Sequence, residues 1–252
     1  MAPEIQLIQG SCYDGLLDVN DKSIDLVLVD PPYGYTKNAW DERLNWDRIW
    51  PLLRRKCKPN AAIIIFSDGI HTVDLIQSNR KEWRYNIVWR KNKPSGFLNA
   101  NKMPLRAHED LCVFYSKLPV YNPQKTSGHK PMASRNTGAT SNRGYGGFQS
   151  LEAATFGSTD RMPISVIDFD CVPTTKKAHH SQKPIALLQY LIKTFSNKGD
   201  VVLDFCAGSG STGRAACEIE RQCILIENHP PFCQKIREEL DPILFKPRKK
   251  RL

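Results

Sequence analysis

Residues 29–35 read Val-Asp-Pro-Pro-Tyr-Gly-Tyr, and four of them, Asp30, Pro31, Pro32 and Tyr33, suit the gripping of a flat, hydrogen-bearing amine. The prolines lack amide hydrogens and hold φ near one value, so a strand cannot run through them and the backbone beyond is stiff. The Asp30 carboxylate and the Pro31 carbonyl are then two acceptors side by side, with the Tyr33 ring next to them. An amine on an aromatic base is a poor nucleophile because its lone pair is delocalised into the ring. Accepting both of its hydrogens draws it towards tetrahedral geometry and frees the lone pair to attack a methyl group. A tyrosine beside it stacks on the base once that base has been turned out of a duplex. The simpler alternative for the tetrapeptide is a chain-reversing turn after a core strand.

A second chemical stretch lies at 204–213, Asp204-Phe205-Cys206-Ala207-Gly208-Ser209-Gly210-Ser211-Thr212-Gly213. Glycines at this point let the backbone turn sharply and approach a ligand closely, with the amides of a following helix nearby. Glu227, 19 positions after Gly208, stands where an acid accepts hydrogen bonds from ribose hydroxyls. A nicotinamide or flavin dinucleotide and S-adenosylmethionine both fit this pattern. Asp204 would oppose a pyrophosphate but attract the cationic ammonium and sulfonium of S-adenosylmethionine, which is therefore favoured.

These residues need elements to carry them. Residues 24–29 form an apolar run too short for a helix and read as a buried parallel strand ending at Asp30. Further strands are expected at 4–9, 61–67, 85–90, 110–115, 200–203 and 222–226, and helices at 13–19, 44–56, 72–79, 184–195 and from the glycine loop to about 220. Only 25 residues follow Glu227, too few to complete a doubly wound sheet, so its remaining strands must come from the N-terminal half. The expected fold is a single α/β domain over 1–245, a mostly parallel sheet of about seven strands with helices on both faces. Residues 117–150 are rich in Gly, Ser, Thr, Asn and Pro and read as a long surface loop.

The 252 residues carry a formal net charge of +10. Part sits in the basic tail at 246–252. Much of the rest is clustered, since Glu82 is the only acid between Arg80 and Arg106 and there is none between 117 and 150. A polyanion partner or a solvated basic face explains this equally well. The eight cysteines have no CxxC spacing, so they read as reduced structural thiols and no metal site is expected. No apolar stretch approaches the ~20 residues of a membrane span and no signal pattern opens the chain, so a cytoplasmic, nucleoid-associated protein is expected.

The order of these stretches resembles the β class of amino DNA methyltransferases, in which the DPPY motif precedes the cofactor motif. The likeness is carried by IDLVLVDPPYG, the following Trp40-Asp41, NIVWRKNKPSG, HEDLCVFYSK, HHSQKPIALLQYLI and GDVVLDFCAGSGSTGRAA, over most of the chain. It implies a circularly permuted S-adenosylmethionine-dependent methyltransferase in which Asp30, Pro31, Pro32 and Tyr33 are catalytic. The implied cofactor set is Ser11, Cys12, Lys183, the run Asp204 to Thr212, Glu227 and Asn228, with Gln182-Lys183-Pro184 closing over the methionine end. Three departures stand out. Ser11 replaces a frequent acid, Phe205 is displaced by one place, and His179-His180-Ser181 lacks a proline. An insertion at about 92–178 would recognise double-stranded DNA, with Arg90, Lys91, Lys93 and Arg106 as contacts, and a homodimer is expected from the family. The implied reaction is site-specific methylation of the N6 amine of adenine by base flipping, because aspartate at position 30 mostly accompanies adenine in that family. The alternatives are N4-cytosine methylation, a dinucleotide-dependent oxidoreductase and a non-catalytic DNA-binding relative.

Overall fold

In the computed structural model, residues 3–35, 41–132, 157–173 and 182–240 are described. The basic tail, Trp40 and His179-His180-Ser181 lie outside them. The chain forms two compact units, residues 1–122 with 165–252, and residues 123–164.

The larger unit is built on an eight-stranded sheet of β1 (Ile5–Gln9), β2 (Ile24–Val29), β3 (Cys57–Ser67), β4 (Trp83–Ser95), β5 (Arg106–Phe114), β6 (Val166–Asp168), β7 (Val201–Asp204) and β8 (Gln222–Glu227). Their order is β1-β8-β7-β2-β3-β5-β4-β6. Every neighbouring pair is parallel except the two that β5 makes, with β3 and β4. All seven anticipated strands are present. The eighth, β6, is a three-residue edge strand pairing Val166, Ile167 and Asp168 with Val88, Trp89 and Arg90, too short for any periodicity to reveal. Of the stretch 92–178, β5 and β6 thus belong to the sheet, and the second unit occupies its middle. Within that unit Thr126 and Arg161 exchange backbone hydrogen bonds.

Helices α1 (Cys12–Asp18), α2 (Trp46–Lys56) and α3 (Gly69–Ser78) cover one face of the sheet, and α4 (Ile185–Phe195), α5 (Ser211–Glu218) and α6 (Pro230–Glu239) the other. Alternation along β2 shows why both are needed. Leu26 and Leu28 pack with Leu187, Leu191 and Ala216, while Val27 and Val29 pack with Leu16, Ile49 and Leu53, joined by Ile24 from beyond a register shift in the strand. A strand buried on both sides must be apolar throughout. Helix α6 was not anticipated, although Pro230 at its start and the spacing of Cys233, Ile236 and Leu240 carry the signal.

The connection after β7 leads through α5 outward to β8, and that after β2 leads through α2 the other way to β3. The carboxyl ends of β7 and β2 therefore flank the switch point, where an open α/β sheet leaves a crevice. Because β5 runs antiparallel, its first residues, not its last, reach the same edge. Helix α5 packs closely on β8, since a Cβ on Gly213 would lie 2.8 Å from Leu225 Cδ1 of that strand. Gly213→Val is expected to destabilise the protein by about 1–3 kcal/mol through overpacking. A lowered urea midpoint checks this, and an unchanged midpoint would show that α5 yields freely.

Candidate active site

The turn after β2 is held from several sides. Asp41 accepts from the amides of Gly34 (2.8 Å) and Tyr35 (2.9 Å), one to each carboxylate oxygen. The Tyr35 hydroxyl donates to the Asp68 carbonyl at 2.6 Å and accepts from the His71 amide at 2.9 Å. Arg43 donates to the Tyr33 carbonyl at 3.2 Å and pairs with Asp74. One face of the Tyr33 ring stacks on His71, with centroids 4.8 Å apart, and His71 in turn bonds Ser67 Oγ through Nδ1 at 2.7 Å. Burial, then the Arg43 charge, pushes the His71 pKa down to about 4, so a neutral imidazole backs the tyrosine. The Tyr33 hydroxyl donates to Asp30 Oδ1 at 3.0 Å. Asp41 and His71 are site residues that sequence reasoning assigned no role. An acid shortly after the turn was the available signal for Asp41, and His71 had none.

Asp30 does not stand alone. Lys183, on the segment entering α4, places its ammonium 2.7 Å from Asp30 Oδ2 and 3.1 Å from Glu109 Oε2, and 4.9 Å from the centre of the Phe66 ring. Lys91 pairs with the other Glu109 oxygen at 3.1 Å. Burial raises the Asp30 pKa above the usual carboxylate range, and Lys183 is the strongest influence opposing it. Burial also acts on Glu109, but Lys183 and Lys91 outweigh it and hold that carboxyl below its ordinary value. The Lys183 pKa rises, the two carboxylates overcoming burial. Lys183, expected at the cofactor, is thus ion-paired with Asp30. Lys91, expected at a phosphate, has a side chain only 8% exposed and turned inward to Glu109. Glu109 was given no role, although it lies in HEDLCVFYSK, one of the stretches that carry the family likeness.

The glycine loop lies across the crevice from this cluster. Asp204, 4% exposed, accepts from the Cys206 amide (3.0 Å) and the Thr212 hydroxyl (2.6 Å). Burial raises its pKa to about 7 despite those two hydrogen bonds. Glu227 accepts from the Gly208 amide at 2.7 Å and the His229 amide at 2.8 Å, so its carboxylate ties the loop to the end of β8. Gly208 and Gly210 have φ of 52° and 77°, conformations that side chains disfavour. A Cβ on Gly210 would also meet Ile236 at 2.9 Å. Phe205 is buried in the core, and Ser209 bonds Ser211. Ser11 caps α1 by accepting from the Asp14 amide at 3.1 Å. The Cys12 thiol, pushed by burial up to about 11, is no nucleophile at neutral pH.

One cavity of about 890 Å³ joins the two halves. Asp30 to Tyr33 line it, as do Ser11, Cys12, Lys183, the loop from Asp204 to Ser209 with Ser211 and Thr212, Glu227 and Asn228. Lys91, Lys93 and Arg106 also reach it. Arg106 is ion-paired with Asp68. Two candidates stand apart. Gly210 caps α5, and Arg90 forms a two-point pair with Asp168 at 2.5 and 2.8 Å. Among the described residues no cluster of His, Cys, Asp and Glu is placed to hold a metal, and no helix is long and apolar enough to cross a membrane.

Residues 24–238 match the N6/N4 family described as DNA methylase. The DNA adenine methyltransferase YhdJ of Escherichia coli K12 is 27% identical over 249 residues, 93% of this chain and 82% of that protein. Among solved structures, the PvuII DNA methyltransferase (cytosine-N4-specific) superposes with a TM-score of 0.66 at 15% identity, covering 94% of this chain and 86% of its own. The M1.HpyAVI–SAM complex superposes at 0.59 with 24% identity, covering 93% and 99%.

The raised pKa of Asp204 makes a stability prediction. A carboxyl whose folded pKa exceeds its unfolded value, near ~3.9, is held in its favoured protonated form only at low pH, and that stability is lost as pH rises through about 7. Asp204→Asn should therefore raise the melting temperature at pH 8, with the advantage shrinking as pH falls below 7 towards 4. Thermal unfolding across that range checks it, and a variant less stable than the parent at pH 8 would contradict it.

Proposed function

Because the chain belongs to the N6/N4 DNA methylase family, we propose that it transfers a methyl group from S-adenosylmethionine to the N6 amine of adenine at specific sites in double-stranded DNA, with the target base turned out into the cavity. The observation that carries this reading is the shared cavity, in which Asp30 on its braced turn faces the acid-flanked glycine loop.

The chain's own groups divide the work. Asp204, buried and without a cationic partner among its hydrogen bonds, suits a cationic amino-acid end, and Glu227 a ribose. The glycine loop lets the backbone come close without side-chain interference. When bound, S-adenosylmethionine supplies an electrophilic methyl group on sulfonium. Asp30 and the Pro31 carbonyl accept the two amine hydrogens, and the face of Tyr33 away from His71 is available to stack on the base. The protein's contribution is orientation and charge placement, with no covalent intermediate. The cavity volume lies within the range for small-molecule sites of ~300–1,000 Å³.

Adenine is favoured over cytosine by the aspartate at position 30, which mostly accompanies adenine in the family this chain resembles, and by the name of the Escherichia coli relative. Identifying the methylated nucleoside by mass after digestion of treated DNA tests the choice. N6-methyladenine is the expected product, and N4-methylcytosine as the main product would overturn the adenine assignment.

Duplex binding is assigned to the basic surface around the cavity mouth and to the insertion within 92–178. Residues 91–107, from the last part of β4 to the start of β5, contain no acid, and Lys93 and Lys102 are exposed there. Replacing both by Ala is expected to weaken DNA binding and to reduce the log–log salt slope by about 0.9 for every phosphate no longer neutralised. An unchanged slope would return them to an ordinary solvated face.

A further inference from the structure

Glu109 has no part in the chemistry described so far, yet it stands at the centre of the site. Its two oxygens face two ammoniums, Lys91 at 3.1 Å and Lys183 at 3.1 Å. The oxygen facing Lys183 is buried and lacks an aligned hydrogen bond, although the ion pair is close. Lys183 is divided between Glu109 and Asp30, nearer to Asp30 at 2.7 Å. Four charges therefore alternate in sign from Lys91 through Glu109 and Lys183 to Asp30. They come from β4, β5, the segment before α4 and the turn after β2. Their side chains are 8%, 15%, 12% and 23% exposed. Charges this sheltered from water act on one another far more strongly than surface pairs.

We propose that Lys183 and Glu109 are positioning residues that set the proton affinity of Asp30 from opposite sides. This rests on the methyl-transfer reading given above. Lys183 keeps Asp30 ionised as the amine arrives, so that it accepts a hydrogen. Glu109 draws part of the Lys183 charge away, so that Asp30 remains basic enough to take a proton afterwards. In the transfer the nitrogen lone pair forms the bond to the methyl carbon. The carbon–sulfur bond breaks with its electron pair left on sulfur, and the nitrogen carries one proton too many. That proton passes to Asp30 and from there to solvent. A cation held wholly on Asp30 would oppose this step, both by weakening the base and by standing near a nitrogen turning positive. The other groups acting on Asp30 are the Tyr33 hydroxyl at 3.0 Å, and Asp204 with Cys206 at the end of β7. None of these is altered in the variants below.

The test is the single-turnover rate of methyl transfer to DNA against pH, for the parent, Lys183→Met, Lys183→Arg and Glu109→Gln, with S-adenosylmethionine binding measured by calorimetry on each. Removing the cation should move the midpoint of the acidic limb to higher pH by about one unit or more, and removing the neighbouring anion should move it to lower pH. Lys183→Arg should keep the parent midpoint. The plateau rate of Glu109→Gln should fall at least tenfold while its cofactor affinity stays within about threefold. Opposite shifts are not what a loss of packing produces. Shifts in the same direction, or falling plateaus with fixed midpoints, would overturn the inference. If Lys183→Met loses cofactor binding through misfolding, Glu109→Gln decides alone, and a midpoint that rises or stays fixed overturns it. A parent enzyme that methylates no DNA at any pH would instead overturn the reading on which this rests.

Discussion

A lysine ammonium buried between two carboxylates is the interaction on which the site depends. Asp30 projects from the carboxyl end of β2 into a crevice that already holds Asp204 and Glu227, and burial pushes the proton affinity of all three upwards. Lys183 is the one cation in contact with Asp30 among the described residues. The position of Glu109, the second carboxylate, follows from the reversal of β5. Trp89 pairs with Glu109 and Ser67 with Asp110, so the start of an antiparallel strand meets the ends of its neighbours. A parallel β5 would have carried Glu109 to the opposite edge, away from both lysines.

The turn that presents Asp30 is rigid for reasons partly local and partly remote. Two prolines stop the strand and fix its exit. Asp41 then holds the next two amides, and Tyr35 ties the turn to the end of β3 and the start of α3. Across the crevice, the acids that suit a cationic ligand are costly while they remain ionised and buried, and Asp204 shows that cost in its raised pKa. Its two hydrogen bonds fix the direction of the carboxylate without cancelling the cost. Stability is given up at this end of the crevice.

What was legible in the sequence was what acts locally. Proline and glycine declare their backbone conformations, and the run 24–29 declares a strand covered on both faces. The residue pairings were hidden because they join distant parts of the chain. Lys91 sits in a basic run that reads as surface, and only its place in β4, one residue past the Arg90–His108 pair, brings it to Glu109. The motif containing Lys183 suggested the methionine end of a cofactor, whereas the side chain meets an acid from the first strands of the chain. Strand β6 escaped notice because three residues of β-edge carry no pattern, and Arg90 is taken up by its Asp168.

The central claim is that Asp30 acts on the amine while a separate set of residues holds the cofactor. Asp30→Asn tests it most directly, since the amide keeps the shape and loses the charge. Single-turnover methyl transfer should fall by about a thousandfold or more while the calorimetric affinity for S-adenosylmethionine stays within about threefold, as expected for an interaction that strengthens in the transition state. Transfer within tenfold of the parent, or affinity falling in step with rate, would contradict the account.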